Sequence, residues 1–277
     1  MMARRIVLAA ALCSMSAASA WAESSWDFLK DAVFDGREPV LSEAVIALES
    51  PYRTMNDPRT EIGARVTMPL GEFVKTVTLI LDENPTPVSA VFEMAEPQRA
   101  FAFAGSMRVN GPTMVRVIAE TDQGKLYMSE SFVKTSGTGA CSAPPGTDPE
   151  IALQTRGTMK FRLAPEVNEN LLASLDKAAA ASGTPVTGRM VELDIDHPSH
   201  SGMQMDQISL LFIPARYVET VEIQADGKPQ FTMTGSISFS ENPAIKFEIP
   251  GESLGVGVKM VDTKGAVFEE EFSLSGG

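Results

Sequence analysis

What most constrains this chain is the cadence of its β-prone runs, each short and each closed by turn formers. Val45–Leu48, Arg65–Met68, Val74–Leu81, Val88–Met94, Phe101–Phe103, Thr113–Glu120 and Lys125–Val133 follow one another within about 95 residues. Between them stand Asp82-Glu83-Asn84-Pro85, Val109-Asn110-Gly111-Pro112 and Asp122-Gln123-Gly124. Residues of this kind set positive or fixed φ angles and turn the chain back on itself. Seven such runs at this spacing predict an all-β sandwich. Before them, the spacing of Trp26, Leu29, Ala32 and Val33 predicts a short amphipathic helix that Gly36 stops.

The pattern breaks once. Thr135 to Pro149 is rich in Gly, Ser, Thr, Ala and Pro and is read as a flexible linker. Met159–Leu163 offers one more strand, and Glu166–Ser182 has a helical composition that ends at Gly183. Strand texture then returns in Met190–Ile195, Gln207–Ile213, Thr220–Gln224, Phe231–Ser238, Ala244–Ile249, Gly255–Val261 and Ala266–Leu274. A second sandwich is expected there. The resulting division is a leader over 1–22, a first sandwich over 23–134, a linker region over 135–187 and a second sandwich over 188–277.

The leader is expected from Met1-Met2-Ala3-Arg4-Arg5, the apolar stretch Ile6–Ala20 and the small residues of Ala20-Trp21-Ala22, which together form a secretory signal with cleavage before Glu23. The chain is therefore expected to be exported and soluble, with no inserted membrane span. Its formal net charge is −13, and losing Arg4 and Arg5 with the leader makes it more acidic still. That balance argues against nucleic acid as a partner.

Several residue groups have a composition that bears on chemistry. Gly251-Glu252-Ser253-Leu254-Gly255 has the G-x-S-x-G spacing of a hydrolase elbow, but it joins two β-prone runs and no histidine follows it. His197, His200, Met203 and Met205 lie close together in DIDHPSHSGMQMD, and imidazole with thioether suits copper. With 15 methionines in the chain, an ordered turn is the simpler account of that cluster. Glu49 and Glu269-Glu270-Glu271 read as solvated carboxylates on strands. Gly137-x-Gly139 lacks the third glycine and following helix of a dinucleotide site, so no cofactor is expected.

Cys141 is the residue left over. The chain has two cysteines, and the other, Cys13, falls in the leader. No internal disulfide is then available. In SGTGACSAPPG no side chain near the thiol is large enough to cover it, and no neighbour in sequence is cationic. A mobile, exposed thiol with an ordinary pKa of about 8.5 is expected. About seven flexible residues on either side, at roughly 3.3 Å each, would let it reach some 20 Å at most.

VTLILDENPTPVSAVFEM (Val77–Met94) and GPTMVRVIAETDQGKLYMSESFVKTSGTGAC (Gly111–Cys141) resemble SoxY, the carrier subunit of the bacterial thiosulfate-oxidising system. DHPSHSGMQMDQISLLFIPARYVETVEI (Asp196–Ile223), FSENPAIKFEI (Phe239–Ile249) and VKMVDTKG (Val258–Gly265) resemble its partner SoxZ. Fused in this order, they resemble the quinoprotein dehydrogenase-associated SoxYZ-like carriers. The resemblance implies two immunoglobulin-like β-sandwiches in the periplasm and a monomer whose pairing interface is satisfied internally. It also implies that Cys141 covalently holds a small, sulfur-containing group for partner enzymes, among them a quinoprotein dehydrogenase system, with no catalysis by the carrier itself. An accessory protein that binds such a dehydrogenase through its sandwich surfaces, with the cysteine dispensable, is the alternative. One departure is clear: SoxY ends in a Gly-Gly-Cys-Gly-Gly tail, whereas Ala140 and Ser142 flank Cys141 and about 136 residues follow it.

Overall fold

The computed structural model describes residues 25–137, 139–164 and 188–274. The expected leader and the helix expected over 166–182 lie outside the described residues. The first half contains α1 (Ser25–Phe34), β1 (Val40–Leu41), β2 (Ile46–Glu49), β3 (Thr60–Thr67), β4 (Val74–Leu81), β5 (Val88–Gln98), β6 (Ala100–Met107), β7 (Thr113–Thr121) and β8 (Leu126–Val133). A 3₁₀ turn at Ala140–Ser142, α2 (Pro149–Thr155) and β9 (Met159–Leu163) follow. The second half contains β10 (Gly188–Ile195), β11 (Val218–Ala225), β12 (Lys228–Gly235), β13 (Ala244–Pro250), β14 (Gly255–Asp262) and β15 (Val267–Ser273).

The architecture is all-β and immunoglobulin-like, as expected, and the two sandwiches expected share two facing layers to which each half supplies strands. Both layers run unbroken through both halves. One sheet has nine strands in the order β1-β8-β7-β4-β5-β12-β11-β14-β15, and the other has six in the order β2-β3-β6-β13-β10-β9. At the seam β5 pairs antiparallel with β12, placing Phe92 opposite Met233, and β6 pairs with β13, placing Phe103 opposite Phe247. Pairing satisfies the backbone groups that two separate sandwiches would leave open along four edges.

A single core fills the space between the sheets and crosses the seam. Phe92, Phe101 and Phe103 from the first half meet Phe231 and Phe247 from the second, with ring centroids 5.9 Å apart for Phe92–Phe231, 5.2 Å for Phe101–Phe231 and 5.2 Å for Phe231–Phe247. The edge-to-face angles of these pairs suit the ring quadrupoles. β13 shows why its sequence reads as a strand: Ile245, Phe247 and Ile249 are buried on one face while Lys246 and Glu248 are more exposed on the other. β4 is buried on both faces, because α1 lays Leu29 and Phe34 over Ile80 and Ile118 on the outside of the sheet. Gly105 sits where a Cβ would come within 3.2 Å of the Phe239 ring, so glycine lets that ring close over the seam.

Two expectations are corrected. Gln207–Ile213 is not a strand but a tight exposed loop. Asp206 Oδ1 accepts from the Ile208 and Ser209 amides at 3.1 and 2.6 Å, and Leu210 is left-handed at φ 57°. The local carboxylate captures the amides that a ladder would need. Conversely, the stretch read as unstructured ends in α2, capped by Asp148, whose carboxylate accepts from the Glu150 and Ile151 amides, with Pro149 opening the helix.

Candidate functional site

The segment carrying Cys141 is not a free arm, and its thiol is not exposed. Cys141 is fully buried. The small neighbours that leave the thiol unshielded locally also let this segment lie flat on the sandwich, where side chains distant in sequence hold its backbone. Asp57 accepts from the Ser136 amide at 2.9 Å, and Asn110 Oδ1 accepts from the Cys141 amide at 3.0 Å. From the other half, Ser201 Oγ donates to the Cys141 carbonyl and Gln204 Nε2 donates to the Ala143 carbonyl at 2.9 Å. Glu241 then receives the Gly146 and Thr147 amides at 2.7 and 2.8 Å. Gly139, at φ 74°, takes the left-handed step that starts the 3₁₀ turn.

Beneath the turn lies Arg108, 2% exposed, just beyond the end of β6. Its Nη1 donates to the Ile237 carbonyl at 3.1 Å and to the Phe239 carbonyl. Asn84 steadies the same corner. Its Nδ2 donates to the Arg108 carbonyl at 2.8 Å and to Ser238 Oγ at 2.9 Å, while its Oδ1 accepts from the Asn110 amide at 3.0 Å. Burial pushes the Cys141 thiol above its ordinary value, and the Arg108 charge opposes that push. Burial also lowers the Arg108 pKa, which the electrostatic influence of Cys141 and Glu241 partly restores. With its pKa raised, the enclosed thiol is protonated at neutral pH, the unreactive form.

Beside the turn opens a cleft of about 390 Å³, lined among others by Arg59, Arg108, Ala140, Ala143, Gln204 and Glu241. Both halves of the chain build it. Residues 30–141 match the family model for the sulfur oxidation protein SoxY, and residues 176–273 match that for the sulphur oxidation protein SoxZ. The chain joins a SoxY domain to a SoxZ domain.

No curated protein matches the chain. Among solved structures, the sulfur carrier protein SoxY from Chlorobium limicola f thiosulfatophilum is 21% identical, with a TM-score of 0.35, over 40% of this chain and 96% of that one. A superoxide reductase (neelaredoxin) from Ignicoccus hospitalis is 13% identical, with a TM-score of 0.27, over 33% of this chain and 80% of that one.

Cys141 is the last residue of the SoxY match, and the residues that close over it, Ser201 and Gln204, belong to the SoxZ domain. Sequence reading missed Arg108, Asn110, Asn84, Ser201 and Gln204 as parts of one site. Asn84 and Asn110 had been visible only as turn residues, and here the two turns meet.

The other candidates fall elsewhere. His197 is buried, its Nδ1 accepting from the Ser199 amide at 2.9 Å and its Nε2 lying 3.6 Å from Asp262. Burial holds its pKa down at about 4, so the ring is neutral. His200 places Nδ1 3.2 Å from Gln204 Oε1, and Met203 and Met205 are exposed. Among the described residues no three His, Cys, Asp or Glu side chains are grouped to hold a metal ion. Gly251–Gly255 links β13 to β14, a strand-to-strand turn with Ser253 buried. Glu269, Glu270 and Glu271 lie on the edge strand β15, and Glu49 ends β2.

Proposed function

We propose that this fused SoxY–SoxZ chain is a periplasmic carrier that holds a small, sulfur-containing group covalently on Cys141 and presents it to partner enzymes, without catalysing the change itself. The observation that carries this reading is the position of Cys141. It is the one cysteine outside the expected leader, it ends the SoxY match, and it sits in a turn held by reversible hydrogen bonds from the SoxZ half. A buried, protonated thiol is protected between loading events and becomes reactive when the turn lifts. The attachment is a thioester-like, disulfide or persulfide bond.

Export is supported by the basic, apolar and small-residue succession over Met1–Ala22. The resemblance to quinoprotein dehydrogenase-associated carriers supports a partner system of that kind. The internally paired seam supports a monomer.

The test is intact-mass analysis of protein purified from its native host under inducing conditions, together with a Cys141→Ser replacement. A mass adduct on the fragment containing Cys141, and failure of the associated pathway in the replacement strain, are expected. Unmodified thiol throughout, with a normal pathway in Cys141→Ser, would overturn the carrier reading and leave an accessory protein that docks through its sandwich surfaces.

A further inference from the structure

The cleft beside Cys141 holds two cationic side chains whose hydrogen-bonding capacity is only partly used. Arg59 Nη1 donates to the Glu241 and Asn242 carbonyls at 2.8 and 2.9 Å. Arg108 Nη1 is likewise given to two carbonyls. Among the described residues nothing accepts from Nε or Nη2 of either arginine, and both residues line the cleft. The single carboxylate in the lining, Glu241, already receives two backbone amides. The lining thus has a net positive charge, with a nearly buried guanidinium at its inner end.

We propose that this cleft is a binding site for a small oxoanion, held by Arg59 and Arg108. A guanidinium presents its donors in a fixed fork that matches the oxygens of sulfate-like and carboxylate-like groups, and its weak hydration makes the exchange favourable at a partly enclosed site. Arg108 is anchored through Nη1 and cannot swing away, so its remaining donors are preorganised. Arg59 is exposed and reaches in from the SoxY-domain loop before β3. Together with the carrier reading, on which this step rests, the cleft receives the charged end of the group attached to Cys141. Ala140 and Ala143, either side of that residue, form part of the cleft wall.

The test uses the full exported chain carrying Cys141→Ser, so that no covalent link can form. Sodium thiosulfate and the uncharged dimethyl sulfone are titrated into it by calorimetry at low ionic strength. Thiosulfate is expected to bind and dimethyl sulfone not to bind. Arg59→Gln is expected to weaken thiosulfate binding by about tenfold, and Arg59→Lys by less. Because Arg108 also holds two carbonyls across the seam, Arg59 is the variant of choice, with thermal unfolding as the check on its fold. Absence of thiosulfate binding, equal binding of the neutral sulfone, or unchanged binding in Arg59→Gln would each overturn the proposal. A failed titration leaves covalent carriage on Cys141 standing; a failed adduct search with thiosulfate still bound overturns carriage alone.

Discussion

Removing the two SoxZ-half groups that close over Cys141 should turn a protected thiol into a reactive one without unfolding the protein. In the double variant Ser201→Ala, Gln204→Ala, the Cys141 and Ala143 carbonyls lose the side-chain donors that bridge them to the SoxZ half. Each such bond is worth about 1 kcal/mol net, so the pair contributes about 2 kcal/mol to keeping the turn down. That corresponds to roughly a 30-fold rise in the lifted population. Reaction of Cys141 with an aromatic disulfide reagent, followed by absorbance at fixed pH, reports this population directly when lifting and closing are fast compared with labelling. The wild-type thiol should react far more slowly than the same thiol in an unstructured peptide, the double variant about 10- to 100-fold faster than wild type. Ser209→Ala, in the exposed neighbouring loop, is the control and should leave the rate unchanged. A wild-type rate equal to the peptide's, or a double-variant rate within about twofold of wild type, would refute the idea that the turn is held shut by these contacts.

Phe231→Ala should remove the ring that links the aromatic groups of the two halves, costing about 3–5 kcal/mol in urea unfolding. Wild type and variant should each unfold in one transition, since two would contradict a shared core. Unfolded His197 takes up its proton near pH 6.5, whereas the folded protein refuses it until about pH 4. Its contribution is thus intact above pH 6.5 and lost as the pH falls, by about 3 kcal/mol in all. Replacing His197 with Gln should flatten stability between those two pH values in denaturant titrations. Asp148→Ala removes the cap of α2 and should cost about 1 kcal/mol in thermal unfolding.

Strand positions were legible for several runs that pack against the shared core, though the reading missed the first half of β3 and the second half of β6. Val74–Leu81 and Met159–Leu163 were read to the residue, because β-branched and aromatic side chains bounded by turn formers leave little choice of conformation. Gln207–Ile213 has the same composition but folds as a loop, since Asp206 competes for its amides and its ladder is limited to the single Met205–Phe212 bridge among the described residues. The Asp148-Pro149-Glu150 cap was written in the sequence and hidden by the Gly and Pro around it. The site was legible only at Cys141. Its burial depends on Asn110, 31 residues away, and on Ser201, 60 residues away. No local window contains that information. Arg108 and Arg59 likewise look like ordinary polar residues until the turns of the two halves meet.

The two sheets also set a schedule for making the protein. β6 is synthesised about 140 residues before the strand it pairs with, and β5 a similar distance before β12. During synthesis the first half therefore carries open edges in both layers, with Phe92, Phe101 and Phe103 facing a partner not yet made. Such edges invite pairing with another nascent chain. Joining both halves in one polypeptide ensures that each first half is followed by its own second half, in equal number and at high local concentration, however dilute the protein is in its compartment.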